Sequence, residues 1–341
     1  MKGIVFTGNR SLELREFPDP TPGPRDVILE IKASGMCGTD LRNYRAENLP
    51  DELFIGGHEP CGVVVAIGQA VTSKEAVIGD RMMVHHYDGC GICNHCNSGW
   101  TQLCTDDPVW YGSGKGHGAH APYMKVAAHT LIRLPEELSF RSGAAIGCGT
   151  GTAYGAIKRM GLEGDETVTI FGQGPVGLSA TQLAVTMGSQ VIAVDPSAER
   201  RALAIEHGAI AALDPTVDGL EDQIRSLTHG LGAHKSIESS GAELARLASI
   251  RTLRTWGKTC FVGVGGAVSL NVSRDLIMRQ ISIQGHLTFS KSWLRDCATF
   301  VLDRKINLDS LFSNQWRLDQ AREAYELFDQ QKTGKGVFLP N

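Results

Sequence analysis

From about residue 150 onward the chain alternates short apolar, β-branched runs with segments of helical pattern, and no other feature constrains the fold as tightly. Thr167 to Phe171, Gln190 to Val194, Ile210 to Leu213, His234 to Glu238 and Thr259 to Val264 read as strands. The segments between them read as helices, ending near Met187, His207, Thr228 and Leu253. Alternation of this kind implies a parallel sheet covered on both faces. The stretch before residue 150 has another texture. Pro18, Pro20, Pro22 and Pro24 exclude a helix near its start, and Val27 to Ala33, Val63 to Ile67 and Arg81 to Val84 read as strands between long loops. After about residue 285, Ser292 to Leu302 and Leu318 to Phe328 read as amphipathic helices and Gly336 to Leu339 as a final strand.

The first strand of the alternating region runs into Gly172-Gln173-Gly174-Pro175-Val176-Gly177, a helix follows, and Asp195 stands 18 residues beyond Gly177. In a chain with 40 glycines the bare spacing is weak. Its position between a strand and a helix, with an acid closing the second strand, marks a dinucleotide-binding turn. Gly172 permits the tight turn, Gly174 lets backbone approach a pyrophosphate, and Gly177 allows close helix–strand packing. The helix opening at Pro175 and Val176 faces the phosphates with its positive end. Asp195 can accept from both ribose hydroxyls and repels a 2′-phosphate, which favours NAD. Arg200, one turn on, can soften that repulsion and keeps NADP open. Val264 is grouped with these cofactor-binding candidates.

Nine cysteines, an odd number, without an apolar leader in MKGIVFTGNRSLELREF argue against a disulfide framework. No run approaches ~18 apolar residues, so no membrane span is expected, and a net charge of −4 offers nucleic acid no basic field. The expected compartment is the cytoplasm. Cys90, Cys93, Cys96 and Cys104 lie within one loop of fifteen residues, 90–104. Four thiolates suit a closed tetrahedral zinc site of structural type. An iron–sulfur cluster is the rival reading, although its usual run continues with a three-residue gap and Cys-Pro, unlike the seven residues and Thr105 found here. Outside this loop Cys37, His58, Glu59 and Cys148 remain. Cys37, His58 and Cys148 would supply three N/S ligands from distant segments and leave a fourth place open, the form of a catalytic zinc site.

With these motifs in hand the chain resembles the zinc-dependent medium-chain alcohol dehydrogenase family over essentially its full length. The resemblance rests on Gly57-His58-Glu59 with Gly62 and Gly68, Gly35 to Asp40, Gly79-Asp80-Arg81, the four-cysteine loop, GCGTGTAYGA from Gly147, and the turn from Gly172. It implies an α/β protein with a GroES-like β-rich catalytic domain (1–149 and 286–341) and a Rossmann doubly wound domain (150–285). It also implies two zinc ions per chain and a homodimer or homotetramer. The run Thr259 to Val264 is a candidate for the sheet edge through which copies pair. Cys37, His58 and Cys148 would be the catalytic zinc ligands, with Glu59 a further candidate. Thr39 would bond the zinc-bound alkoxide and begin the proton relay. Asp40 would orient the His58 ring, and Glu59 would be held by a basic residue such as Lys335.

Two departures stand out. A relay histidine common in the family is replaced by Arg42, which cannot act as an ordinary base and is assigned instead to cofactor phosphates. Where simple-alcohol members place an apolar side chain against substrate, this chain has His86; Trp110 is grouped with it as pocket-lining. His117 and His120, in GSGKGHGAH, are candidates for the same polar pocket or for structural roles. A site with buried hydrogen-bonding groups rejects ligands that leave them unpaired. The expected substrate is therefore a small polar alcohol or its carbonyl counterpart: a polyol, a sugar or a hydroxy-amino acid, as in the polyol/sugar and threonine dehydrogenase-like branches. The alternatives are a simple alcohol or aldehyde dehydrogenase, a zinc-free reductase, and a non-catalytic nucleotide-binding protein.

Overall fold

The computed structural model describes residues 1–47, 53–331 and 333–340, and the chain divides into two compact units, Met1–Gly151 with Phe289–Asn341, and Thr152–Thr288. In Thr152–Thr288 six strands run parallel in the order Ala211–Leu213, Gln190–Val194, Thr167–Phe171, Ala233–Glu238, Leu253–Phe261, Ser282–Gly285. The winding reverses between Thr167–Phe171 and Ala233–Glu238, so the turns leaving these strands open at a switch point, where doubly wound sheets bind ligands. Thr167–Phe171 is buried at every residue, as expected of a strand covered on both faces. Leu253–Phe261 has a neighbour on each side, which overturns the expectation that the run from Thr259 forms the sheet edge. The strand Ser282–Gly285, not anticipated in the sequence, takes that place.

In the other unit the strands Phe312–Trp316, Lys335–Phe338, Asp26–Gly35, Glu59–Ile67, Arg81–Val84 and Leu131–Arg133 are successive neighbours, and Tyr123–Ala127 also pairs with Asp26–Gly35. Val27, Leu29, Ile31, Val64, Met82, Val84, Met124 and Val126 fill its core. The strand expected from Val63 begins four residues earlier, at Glu59. Register then matters: Gly35 faces Glu59 on one side and Val337 on the other. A second difference concerns the helix expected from Thr150. Helical backbone starts at Phe140, capped by the Ser139 side chain, and passes through a π-helical segment Ile146–Thr150 that carries Cys148. Glycines concealed this start. Gly143 is a packing residue, since a Cβ there would overlap Cys61 Sγ. Among the described residues no helix is long and apolar enough to cross a membrane.

Candidate active site

The site begins at the Gly35–Glu59 pair, where a Cβ on Gly35 would overlap the Glu59 carboxylate. Beyond Gly35 the chain turns through Met36 and Cys37 into the helix Asp40–Arg45. Asp40 Oδ2 accepts the Cys37 N–H at 2.9 Å, and Oδ1 lies 3.0 Å from His58 Nδ1. One carboxylate thus fixes the turn and the ring together. With the Nδ1 proton directed at Asp40, the Nε2 lone pair of His58 is available to a metal.

Cys148 arrives from the π-helical segment with its Sγ 3.9 Å from Cys37 Sγ. Two sulfurs bound to one zinc at ~2.3 Å in a tetrahedron stand about 3.8 Å apart. A disulfide needs about 2.05 Å. Ligand atoms of Cys37, His58, Glu59 and Cys148 all lie within 4.8 Å of one another, and all four residues are buried. Lys335 donates to Glu59 Oε2 and, at 3.3 Å, to the Met36 carbonyl, whereas Glu59 Oε1 has no partner among the described residues. A buried carboxylate with one oxygen lacking a donor, in a group with two sulfurs and an imidazole, is a combination that a cation satisfies.

The four groups perturb one another's charge. Burial opposes charge on His58, but the Asp40 carboxylate and the Cys37 sulfur outweigh it and hold its pKa well above the usual value. The hydrogen bond from Cys148 holds the Cys37 thiol well below its usual value against burial, with His58 adding to the effect. Burial raises Glu59 to about 7 despite Lys335.

Thr39 Oγ1 lies 3.7 Å from Cys37 Sγ. His86 is buried with Nδ1 3.1 Å from the Gly147 carbonyl, so Nδ1 carries the proton and Nε2 is left as an acceptor. Its ring is 5.0 Å from the His58 ring, 4.2 Å from Tyr87, and Tyr87 is 5.2 Å from Trp110. Trp110 is exposed at the far end of this ladder, two rings beyond His86. His117 and His120 turn elsewhere. His117 Nδ1 accepts the Ile55 N–H at 3.1 Å, and His120 bonds Ser34 and Tyr325 through its two nitrogens. Arg42 is exposed on the helix Asp40–Arg45.

The second cluster is built on the loop 90–104. Cys90 Sγ and Cys96 Sγ are 4.0 Å apart, as are Cys93 Sγ and Cys104 Sγ. Backbone N–H groups of Cys93, Cys96 and Cys90 donate to Cys90, Cys93 and Cys104 sulfur at 3.3–3.5 Å. Such donors, from Cys96 first and Thr105, pull the Cys93 thiol down to about 6. The four sulfurs close on one another and leave no fifth donor to complete, which suits an ion held for structure.

In the unit Thr152–Thr288, Gly172 has a φ of +84°, and a Cβ on Gly177 would overlap the Gly172 carbonyl. Gly174 precedes the helix Pro175–Thr186, whose first turn holds Pro175, Val176 and Gly177. Asp195 is buried; Oδ2 accepts the Gln173 N–H at 2.6 Å and Oδ1 the Ser197 N–H at 2.8 Å. Arg200 is largely buried beside Gly174; burial lowers its pKa, with Asp195 opposing. Val264 follows the strand Leu253–Phe261 and is exposed. Sequence reasoning missed Ser239, whose hydroxyl donates to the Gly172 carbonyl at 2.9 Å and ties the next turn to the glycine-rich one. A Ser-Ser-Gly after a strand carries no signal for such a contact.

Residues 175–303 match a family model described as zinc-binding dehydrogenase, and residues 23–136 one described as alcohol dehydrogenase GroES-like domain. The chain is 37% identical over 352 aligned positions, covering 99% of it and 98% of the relative, to "Uncharacterized zinc-type alcohol dehydrogenase-like protein YphC" of Escherichia coli. A sorbitol dehydrogenase of Halalkalibacterium halodurans is 28% identical, with 99% and 98% covered. Among solved structures, an NAD-dependent alcohol dehydrogenase superposes over 100% of both chains with a TM-score of 0.88 and 26% identity.

Proposed function

The chain belongs to the zinc-type alcohol dehydrogenase family, and from that premise we propose that it oxidises a small polar alcohol to the carbonyl compound with NAD as hydride acceptor. The observation that carries this reading is the buried set of Cys37, His58, Glu59 and Cys148, whose ligand atoms all lie within 4.8 Å of one another. These residues would hold zinc, with Glu59 as neighbour or fourth donor. Bound there, zinc supplies a Lewis acid that acidifies a substrate hydroxyl. Cys90, Cys93, Cys96 and Cys104 would hold a second, structural ion.

The chain's own residues do the rest. Asp40 keeps the His58 ring turned and its Nδ1 protonated. The Thr39 hydroxyl is the acceptor for the substrate hydroxyl proton. The guanidinium of Arg42 offers donors only and is exposed, which suits the cofactor's phosphates rather than a proton relay. Asp195 binds the adenosine ribose hydroxyls through lone pairs left over from Gln173 and Ser197, and its charge disfavours a 2′-phosphate. Gly172, Gly174 and the first turn of Pro175–Thr186 receive the pyrophosphate, with Arg200 at its flank and Val264 at the turn after Leu253–Phe261.

His86 supports the polar substrate. A buried imidazole with its proton committed to Gly147 presents Nε2 as an acceptor, which a neighbouring hydroxyl or ammonium of the substrate satisfies and an alkyl chain does not. The sorbitol dehydrogenase relative agrees with that class. Oligomer formation belongs to the same reading. Ser282–Gly285 has a strand neighbour on one side only among the described residues, with Ile277 and Met278 exposed nearby, so a second copy can pair there. Metal analysis tests the reading: about two zinc ions per chain support it, and none attributable to Cys37, His58 and Cys148 refutes it.

A further inference from the structure

The strands Thr167–Phe171, Ala233–Glu238 and Leu253–Phe261 end level with one another, since Phe171 pairs with Glu238 and Glu238 with Phe261. The turns that leave them therefore stand side by side at one end of the sheet. Glu238, last residue of the middle strand, is fully buried, and a buried charge is costly unless it is paired and hydrogen-bonded. Its two oxygens serve different partners. Oε1 accepts the Ser240 N–H at 2.6 Å, the Ser240 hydroxyl at 2.5 Å and the Gly241 N–H at 2.8 Å, which folds the chain back over the strand end. Oε2 faces Arg246 Nε at 3.5 Å in an ion pair with both side chains at most 10% exposed.

Arg246 comes from the helix Glu243–Arg251 and donates to the Gly263 carbonyl at 2.7 Å, with its guanidinium 5.6 Å from the centre of the Phe261 ring. One carboxylate thus holds the turn at 239–241 and, through one arginine, the turn that begins at Val262. The Glu238 backbone acts in the same sense, its carbonyl accepting the N–H groups of Val262 at 2.8 Å and Gly263 at 3.0 Å. The two turns are in contact, because a Cβ on Gly263 would overlap the Gly241 nitrogen. Replacing a buried ion pair by apolar residues is often neutral or stabilising, so stability alone does not call for Glu238 and Arg246 here.

Their place in the sheet gives them a use. With a pyrophosphate at Gly172 to Gly177 and the adenosine ribose at Asp195, a dinucleotide laid across the switch point extends its second nucleoside over the strands on the other side, those ending at Glu238 and Phe261. We propose that Glu238 and Arg246 are positioning residues that fasten the turns after these two strands into one floor for the nicotinamide nucleoside. The inference rests on the reading of Gly172 to Gly177 and Asp195 as a dinucleotide site. Apparent affinity scales with the fraction of protein in the binding-competent form, so turns held correctly only about a third to a tenth of the time cost about 3- to 10-fold.

The test is calorimetric titration of the holoprotein with NADH and with ADP, which carries the adenosine ribose and pyrophosphate but no second nucleoside. Wild type should bind both; binding of neither sinks the dinucleotide reading itself. Glu238→Gln, which keeps size and an acceptor oxygen but breaks the ion pair, should weaken NADH about 3- to 10-fold while ADP stays within about 2-fold of wild type. Arg246→Met should do the same, and the double variant should be no worse than the weaker single one, because the two residues act as a unit. Amide hydrogen exchange should rise in peptides covering 239–241 and 262–266 in both single variants. Wild-type NADH affinity in the variants overturns the proposal. Equal weakening of NADH and ADP also overturns it, because that is general loosening of the unit. Should Glu238→Gln fail to fold, Arg246→Met is read by the same NADH-to-ADP ratio, an unchanged ratio counting against the proposal.

Discussion

Glu59 and Lys335 form an ion pair with both side chains at most 1% exposed, and the pair joins the first position of one strand to the first position of the last strand in the chain. Only Oε2 is used by the lysine, Oε1 has no hydrogen-bond partner among the described residues, and a carboxylate oxygen of Glu59 lies within 4.8 Å of the ligand atoms of Cys37, His58 and Cys148. Removing one partner of such a pair strands the other charge in a dry interior. Lys335→Met should therefore lower stability by about 3–5 kcal/mol, read from urea unfolding, and adding Glu59→Gln should restore most of the loss. A single variant as stable as wild type would show that the pair is not isolated from water.

Acid should weaken the fold through its buried histidines. Burial lowers His85 and His120 each to about 4, against an unfolded value of 6.5. A group with a depressed folded pKa contributes stability that is complete above about 6.5 and is lost progressively as pH falls toward about 4. Each contributes a slope of ~1.4 kcal/mol per pH unit in that window. Urea midpoints measured from pH 7.5 to pH 5 should fall accordingly, and His85→Gln should reduce the slope by one histidine's share. Parallel slopes for variant and wild type would contradict this.

The four-cysteine loop should depend on its ion. Cys93→Ser removes one sulfur while its hydroxyl can still cap the short helix Asn94–Asn97, so zinc content should fall from about two to about one per chain through the lost ligand alone. Limited proteolysis should then cut within residues 90–104. Unchanged metal content, or iron in place of zinc, would defeat the assignment.

Cofactor choice should hinge on the charge of Asp195. Asp195→Asn keeps an acceptor for the Gln173 N–H but loses the charge that opposes a 2′-phosphate. The KM ratio of NADP to NAD should fall by roughly 10-fold or more, the worth of a hydrogen bond to a charged group. An unchanged ratio would assign the discrimination elsewhere.

Much of the parallel-sheet unit can be read in advance, because strands covered on both faces tend to short apolar, β-branched runs and the turns between them need glycine. The edge strand Ser282–Gly285 escaped notice because half-exposed SIQG has neither an apolar run nor alternation. The early helix start at Phe140 was hidden by Gly143, Gly147, Gly149 and Gly151, which sequence rules treat as breakers, although at Gly143 and Gly151 a Cβ would overlap neighbouring atoms. The candidate site was legible unevenly. Residues 37, 58 and 148 could be nominated by type and resemblance, yet only strand register and the π-helical segment bring them together. Tyr325 went unremarked within the amphipathic segment Leu318 to Phe328, and His120 read as a candidate for the polar pocket or for a structural role. Neither periodicity nor spacing says that the two meet in the core, with the Tyr325 hydroxyl 2.7 Å from His120 Nε2.

The central claim is that this zinc site handles polar alcohols, and steady-state kcat/KM with NAD over a panel of polyols, sugars, hydroxy-amino acids and unbranched alkanols tests it most directly. The best polar substrate should exceed the best alkanol by at least about 10-fold, and His86→Phe should shrink or reverse that margin. Faster turnover of unbranched alkanols by the wild-type enzyme, or no NAD reduction with any alcohol by protein carrying two zinc ions, would contradict the account.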